Sequence, residues 1–115
     1  MTRGAADPQV LPRRGEVYWV TFPVPVNRRP VLVVQNDAGN RVSPSTIVAH
    51  VSATSRPDYP FLVALDAAEL GTTSRVHCET ITTIPVSLLE DRLGALTPAA
   101  MSRVDEALRL SLGLG

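Results

Sequence analysis

The sequence predicts a small, mainly β barrel closed by one C-terminal helix. Three observations carry that expectation. Short runs rich in Val, Ile, Thr and aromatic residues recur between turn-forming residues. The clearest 3.6-residue apolar stripe lies at the end of the chain. The connections are short, without internal repeats, so strands that follow one another are expected to pair antiparallel.

Taken in order, residues 1–12 show no periodicity, carry Pro8 and Pro12, and read as a flexible N-terminal tail ahead of a single domain over 13–115. Glu16 to Phe22 is rich in β-branched and aromatic residues and predicts a first strand, ended by Pro23 and Pro25. Arg29 to Gln35 predicts a second, its Val and Leu run implying burial on both faces. Asn36-Asp37-Ala38-Gly39-Asn40 is turn chemistry with room for one helical turn, and Ser45 to Ser52 is a third strand. After a loop at 53–60, Phe61–Leu65 and Arg75–Ile84 predict a fourth and fifth strand, joined by a turn at Leu70–Thr73. A helical turn is expected around Ser87-Leu88-Leu89, then a short strand at Leu93–Leu96. Thr97 is a good N-cap with Pro98 at the first helical position. Met101, Val104, Leu108 and Leu112 form the apolar stripe of the final helix, and Asp105 and Arg109 make an i,i+4 pair on its wet face.

Composition narrows function. At 115 residues with 44% hydrophobic content, the chain can bury one modest core without disulfides or metals. No apolar run has the roughly 18 residues of a membrane span, and the N-terminal residues do not form a signal peptide. The single cysteine, Cys78, reads as a small core residue and fits a cytoplasmic protein. Net charge is zero, so any nucleic-acid site is local rather than a charged face. All eleven basic residues are arginine, whose planar fork makes bidentate phosphate contacts.

The chain shows no Gly-rich phosphate loop, no Cys/His set with zinc spacing and no acidic pairing of the two-metal type, so no cofactor or metal is expected. Arg28 and Arg29 open an apolar strand beside the stiffening Pro30 and could clamp a phosphate; solvated strand-edge arginines are the plain alternative. Alternation sets His50 and Ser52 on one face of the third strand, where i and i+2 side chains stand parallel and make a poor Ser–His dyad. A structural hydrogen bond for His50 is the plainer reading. On the fifth strand Arg75, His77, Glu79 and Ile81 are expected on one face, with Val76, Cys78, Thr80 and Thr82 on the other. Glu79 there is either a wet acid or an acceptor for base edges.

Several separated segments resemble the MazF/PemK family of toxin endoribonucleases, from about Arg14 to Leu112. They are Arg14 to Val20, Arg29 to Asp37 with Gly39-Asn40-Arg41, and Ser43-Pro44 leading into Ile47-Val48-Ala49. Further on come Glu79 with Ile81, Thr83 and Ile84, and the helix segment Val104 to Leu108. The resemblance implies an SH3-like barrel of the MazF/CcdB/PemK type that acts as a homodimer. It also implies metal-independent cleavage of single-stranded RNA at a short sequence, and inhibition by a MazE-like antitoxin. The family's catalytic arginine falls on Arg29 and its catalytic threonine on Ser52, with Arg28, Glu79 and Thr80 lining the RNA groove.

Three positions depart from the family pattern. The Pro23–Arg28 connection lacks the family's Gly-Ser-Glu-Gln stretch, Thr80 and Thr82 stand where many relatives have Gln and Arg, and His50 replaces a small or apolar residue. Two rival functions share this fold: a CcdB-like toxin that binds DNA gyrase without cutting, and a catalytically inactive binding module. Arg29-Pro30 together with the Ser52 hydroxyl favours the nuclease.

Overall fold

Six antiparallel strands form one curled sheet, a half-barrel with a helix packed on one side, in the computed structural model, which describes residues 11–53, 59–65 and 74–115. The elements in chain order are β1 (Glu16–Pro23), β2 (Val26–Val33), helix α1 (Asp37–Val42), β3 (Ser45–Ser52), β4 (Leu62–Leu65) and β5 (Ser74–Pro85). A 3-10 turn (Val86–Leu88), β6 (Arg92–Ala95) and helix α2 (Pro98–Leu112) complete the chain. The expected turn at 70–73, residues 1–10 of the expected tail, and residues 54–58 of the expected loop lie outside the described residues.

The strand order is β4-β5-β3-β2-β1-β6, which departs from simple sequential pairing at both ends. The 12-residue β5 is long enough to pair with β3 and β4 together, so it sits between them. The chain then returns to β1: Trp19 N–H donates to Asp91 O at 3.0 Å and Glu90 N–H to Trp19 O at 2.8 Å, and β6 zips onto β1 beyond.

The β1–β2 hairpin is tighter than the sequence suggested. Its ladder continues through Phe22↔Asn27 to Pro23↔Val26, leaving only Val24 and Pro25 at the tip. Pro23 tolerates this because its carbonyl can still accept a hydrogen bond. Accordingly β2 begins at Val26 rather than Arg29. It stops at Val33 because Val34 and Gln35 both donate to Ile47 O, at 2.9 and 3.2 Å, which ends regular pairing with β3.

Both faces of the central strands are covered. On the helix side, Val17, Leu32, Ala49, Val51, Val76 and Cys78 pack with Ala100, Val104 and Ala107 of α2. On the other side, Tyr18, Val20, Val31, Val33, Val48, Ile84 and Leu89 form a second cluster. This accounts for the unbroken Val and Leu run of β2, since a strand buried on both faces has no polar register to alternate with.

Helix α2 starts where expected: Thr97 Oγ1 accepts from Ala100 N–H at 3.1 Å, and Pro98 begins the first turn. Gly113 ends it at φ 68°, a left-handed conformation that favours glycine. The buried stripe differs from the expected one. Small residues, Ala100 and Ala107, sit at full burial around Val104 and let the helix lie close to the sheet, whereas Leu112 is half exposed. The Asp105–Arg109 pair does not form. Arg14 reaches Asp105 at 2.7 Å while its Nε holds Val34 O, and Arg109 turns to Glu106 instead.

Candidate functional site

The side of the sheet away from α2 carries the chemistry. In β2, alternation puts Arg29 on the same face as Val31 and Val33, which belong to the second cluster. In β3 the same face holds Val48, His50 and Ser52. The β2–β3 ladder ends at Val31↔His50. Pro30, which has no N–H to donate, lies one residue past that last pair. Carrying the register two residues further leads to Arg29 on one strand and Ser52 on the other. The β2–β3 pairing has stopped by that point, and Arg29 is exposed and Ser52 half-buried at this rim.

Arg29 is exposed and anchored on one side only. Its Nε–H donates to Asn27 Oδ1 at 2.6 Å, and Asn27 is fixed in turn by donating to Pro25 O at 2.7 Å. The outer guanidinium N–H groups have no partner among the described residues, so the bidentate edge is open to an anion. Arg28 points the opposite way. Its guanidinium lies 4.5 Å from the centre of the Trp19 ring and pairs with Glu90 at 2.9 Å and Asp91 at 3.6 Å. Hydrogen bonds from Thr21 and then Arg28 hold the Glu90 carboxyl below the usual carboxylate range. The two adjacent arginines are thus separated onto opposite faces of one strand.

Ser52 does have a histidine partner, but it is His77 rather than His50. Ser52 Oγ lies 2.6 Å from His77 Nε2, and His77 Nδ1 lies 3.3 Å from Glu79 Oε2. The contact arises from the β3–β5 register, which sets His50 opposite His77 and Ser52 opposite Arg75, so Ser52 and His77 meet diagonally. A bulge shapes the rest. The pairing jumps from Ala49↔Ile81 to His50↔His77, leaving Cys78, Glu79 and Thr80 without opposite partners on β3. Glu79 and Thr80 are consequently exposed at the bulge. The bulge also resets alternation: Ile81, expected beside His77 and Glu79, packs instead against the helix-side core with Val76 and Cys78.

His50 is stacked on Phe22, ring centres 5.2 Å apart. Its pKa lies below the ordinary 6.5 because burial disfavours the cation, with Arg29 and His77 repelling it further and Glu79 opposing weakly. Cys78 is fully buried, and burial, then the charges of Glu79 and Asp105, push its thiol up to about 11, so it is not a nucleophile. A groove of about 460 Å³ between β4 and α2, lined by Leu62, Ala64, Arg103, Glu106 and Leu110 among others, receives none of these side chains.

Of the sequence-predicted site residues, the fold brings Arg29 and Ser52 to one rim, Glu79 within reach of Ser52 through His77, and Thr80 beside Glu79. It turns Arg28 away. Sequence reasoning missed His77 and Asn27. The shared face of His77 and Glu79 was visible in the alternation of β5, but the strand across from it was not.

The sequence matches the PemK-like, MazF-like toxin family of type II toxin–antitoxin systems over residues 13–112, and the chain belongs to that family. It is 39% identical over 113 residues to the endoribonuclease EndoA of Bacillus subtilis, covering 91% of this chain and 97% of that one. Its fold is similar to an endoribonuclease from a mycobacterial species in complex with its cognate antitoxin. That match has TM-score 0.83 and 33% identity, over 90% of this chain and 97% of the other. It is also similar to a MazE–MazF complex from Deinococcus radiodurans, with TM-score 0.75 and 27% identity over 90% and 96% of the two chains.

Proposed function

We propose that this chain, a toxin endoribonuclease by family, cleaves single-stranded RNA at a short sequence without a metal ion and is neutralised by a MazE-like antitoxin. The observation that carries the reading is an open, Asn27-anchored Arg29 that the β2–β3 register, carried past Val31↔His50, aligns with Ser52. RNA contains its own nucleophile, the 2′-OH, so the protein needs to supply neither nucleophile nor Lewis acid. In-line attack on the adjacent phosphorus builds negative charge on the non-bridging oxygens, and a preorganised guanidinium there stabilises the transition state more than the ground state. Ser52 holds the phosphate or relays a proton. Cleavage leaves a 2′,3′-cyclic phosphate and a 5′-OH.

Glu79 and Thr80, exposed at the bulge, are the groove residues of this reading, and they face bases rather than the scissile phosphate. Arg28, held by Trp19, Glu90 and Asp91, supports the hairpin that carries Arg29. The homodimer and a cytoplasmic setting belong to the same proposal, supported by family membership. A CcdB-like role would leave the open edge of Arg29 without a purpose.

The deciding experiment incubates purified protein with a long RNA in EDTA and maps the new ends. Discrete cuts carrying 5′-OH ends, absent with Arg29→Ala, are expected. Intact RNA from a folded protein would overturn the reading in favour of a binding toxin.

A further inference from the structure

We propose that His77 is a positioning residue for this reaction: seated between Ser52 and Glu79, it makes the Ser52 hydroxyl a proton acceptor for the attacking 2′-OH. The inference rests on the endoribonuclease reading and fills a gap in it. A guanidinium stays protonated and makes a poor general base, so Arg29 can stabilise charge but cannot readily remove the 2′ proton. Something else at the rim must accept it.

The geometry points to a relay. An ionised carboxylate only accepts hydrogen bonds, so Glu79 Oε2, 3.3 Å from Nδ1, selects the imidazole form that carries its proton on Nδ1. Nε2 is then bare and takes the Ser52 Oγ–H across 2.6 Å. With its one hydrogen committed inward, Ser52 Oγ presents only lone pairs to the groove. Access follows the same order: His77 is 8% exposed, whereas Ser52 is half-buried at the rim, so RNA meets the hydroxyl and not the ring.

The 2′-OH proton passes to Ser52 Oγ as the Ser52 proton passes to His77 Nε2. The O2′–P bond forms and the P–O5′ bond breaks. The leaving O5′ takes a proton from water, and the hydroxide so formed recovers the proton from His77 through Ser52. Glu79 stabilises the transient imidazolium, as the acidic partner of a buried histidine does in acyl-transfer triads.

The surroundings direct the proton to His77 and not to its neighbour. Facing His77 are His50 and Ser52 from β3, Arg75 and Glu79 from β5, and the uncharged Leu62 from β4, with Arg29 beyond His50. His50 is stacked on Phe22 and kept neutral by burial and by Arg29, and the direct carboxylate contact belongs to His77.

The test compares wild type with His77→Gln, whose amide can hydrogen-bond to Ser52 and Glu79 but cannot carry a proton. Single-turnover cleavage of a long mRNA with mapped sites is followed between pH 5 and 9, alongside RNA affinity. The expected result is a rate at least about 100-fold lower, affinity changed by no more than a few-fold, and loss of the acid limb shown by wild type. Wild-type rate and pH profile in the variant would overturn the relay alone. A wild type that cuts no RNA would overturn the endoribonuclease reading and the relay with it. If His77→Gln does not fold, Glu79→Gln serves with nitrogen-15 NMR of His77. A shift away from the Nδ1–H form with slower cleavage is expected, and an unchanged tautomer and rate would overturn the proposal.

Discussion

Arg29, within β2, and Ser52, the last residue of β3, lie on one face of adjacent strands, two residues beyond the last β2–β3 pair, Val31↔His50. Pro30 helps to make the gap, because a residue without an N–H cannot extend the ladder through its nitrogen. The exposed half of β2 and the end of β3 thereby present a cation and a hydroxyl at a shared rim, while Val31, Leu32 and Val33 and the middle of β3 hold the core. Stability and chemistry come from successive residues of one segment, which makes the consequences of single changes separable.

Arg28 and Arg29 differ in what surrounds them, so equivalent substitutions should separate. Arg29→Gln is expected to lower the cleavage rate about 100- to 1,000-fold, the typical loss of one charge-stabilising donor. Arg28→Gln, which releases only exposed pairs and a stacking contact, should leave the rate within a few-fold and lower stability by about 1 kcal/mol or less. Asn27→Ala, which removes the anchor of Arg29 Nε, should slow cleavage by roughly tenfold with little effect on melting, since one hydrogen bond is worth about 1 kcal/mol. Rates on a fixed RNA, with melting curves beside them, check all three.

Stability should fall with acid in a way that depends on His50. Its folded pKa lies below the ordinary 6.5. The unfolded chain therefore binds a proton that the folded chain resists, and stability decreases as pH drops below 6.5 until it passes the folded pKa. Urea unfolding of wild type at pH 7.5 and 5.5 should show that loss, and His50→Phe should show a smaller one. An identical pH dependence in the variant would remove His50 as its source.

Asn40 anchors the turn between β2 and β3. It is 2% exposed, accepts from Thr46 Oγ1 at 2.7 Å and Gln35 Nε2 at 3.0 Å, and donates to Gln35 O at 3.0 Å. Asn40→Leu would strand a buried hydroxyl and an amide, each costing about 1–3 kcal/mol. A drop in unfolding free energy of at least about 2 kcal/mol is expected, against a small change for the exposed Arg41→Ala.

Much of the fold was legible because its signals are local. The limits of β3 could be read from alternation and turn residues, and the start of α2 from Thr97-Pro98. The order of strands was less legible: nothing near Arg92 announces that β6 returns to β1, or that β5 lies between β3 and β4. At the candidate site, Arg29 and Ser52 were proposed from motif resemblance. The partner of Ser52 could not be, because His77 is 25 residues away and reaches it only through the β3–β5 register. Sequence alternation also failed at Ile81, where three unpaired residues at the bulge reverse the faces of β5. Nor did it disclose that Asp105 would choose Arg14 over its helical neighbour, a contact spanning 91 residues.

The central claim, that Arg29 and Ser52 serve one transition state, is tested most directly by a double-mutant cycle on the single-turnover rate of RNA cleavage. Arg29→Ala and Ser52→Ala are measured singly and together in EDTA. Groups that act as a unit are strongly non-additive, so each single change should lower the rate by about 100-fold or more, and the double variant should be little worse than the poorer single. Losses that simply multiply, or a Ser52→Ala protein that cuts at the wild-type rate, would contradict it.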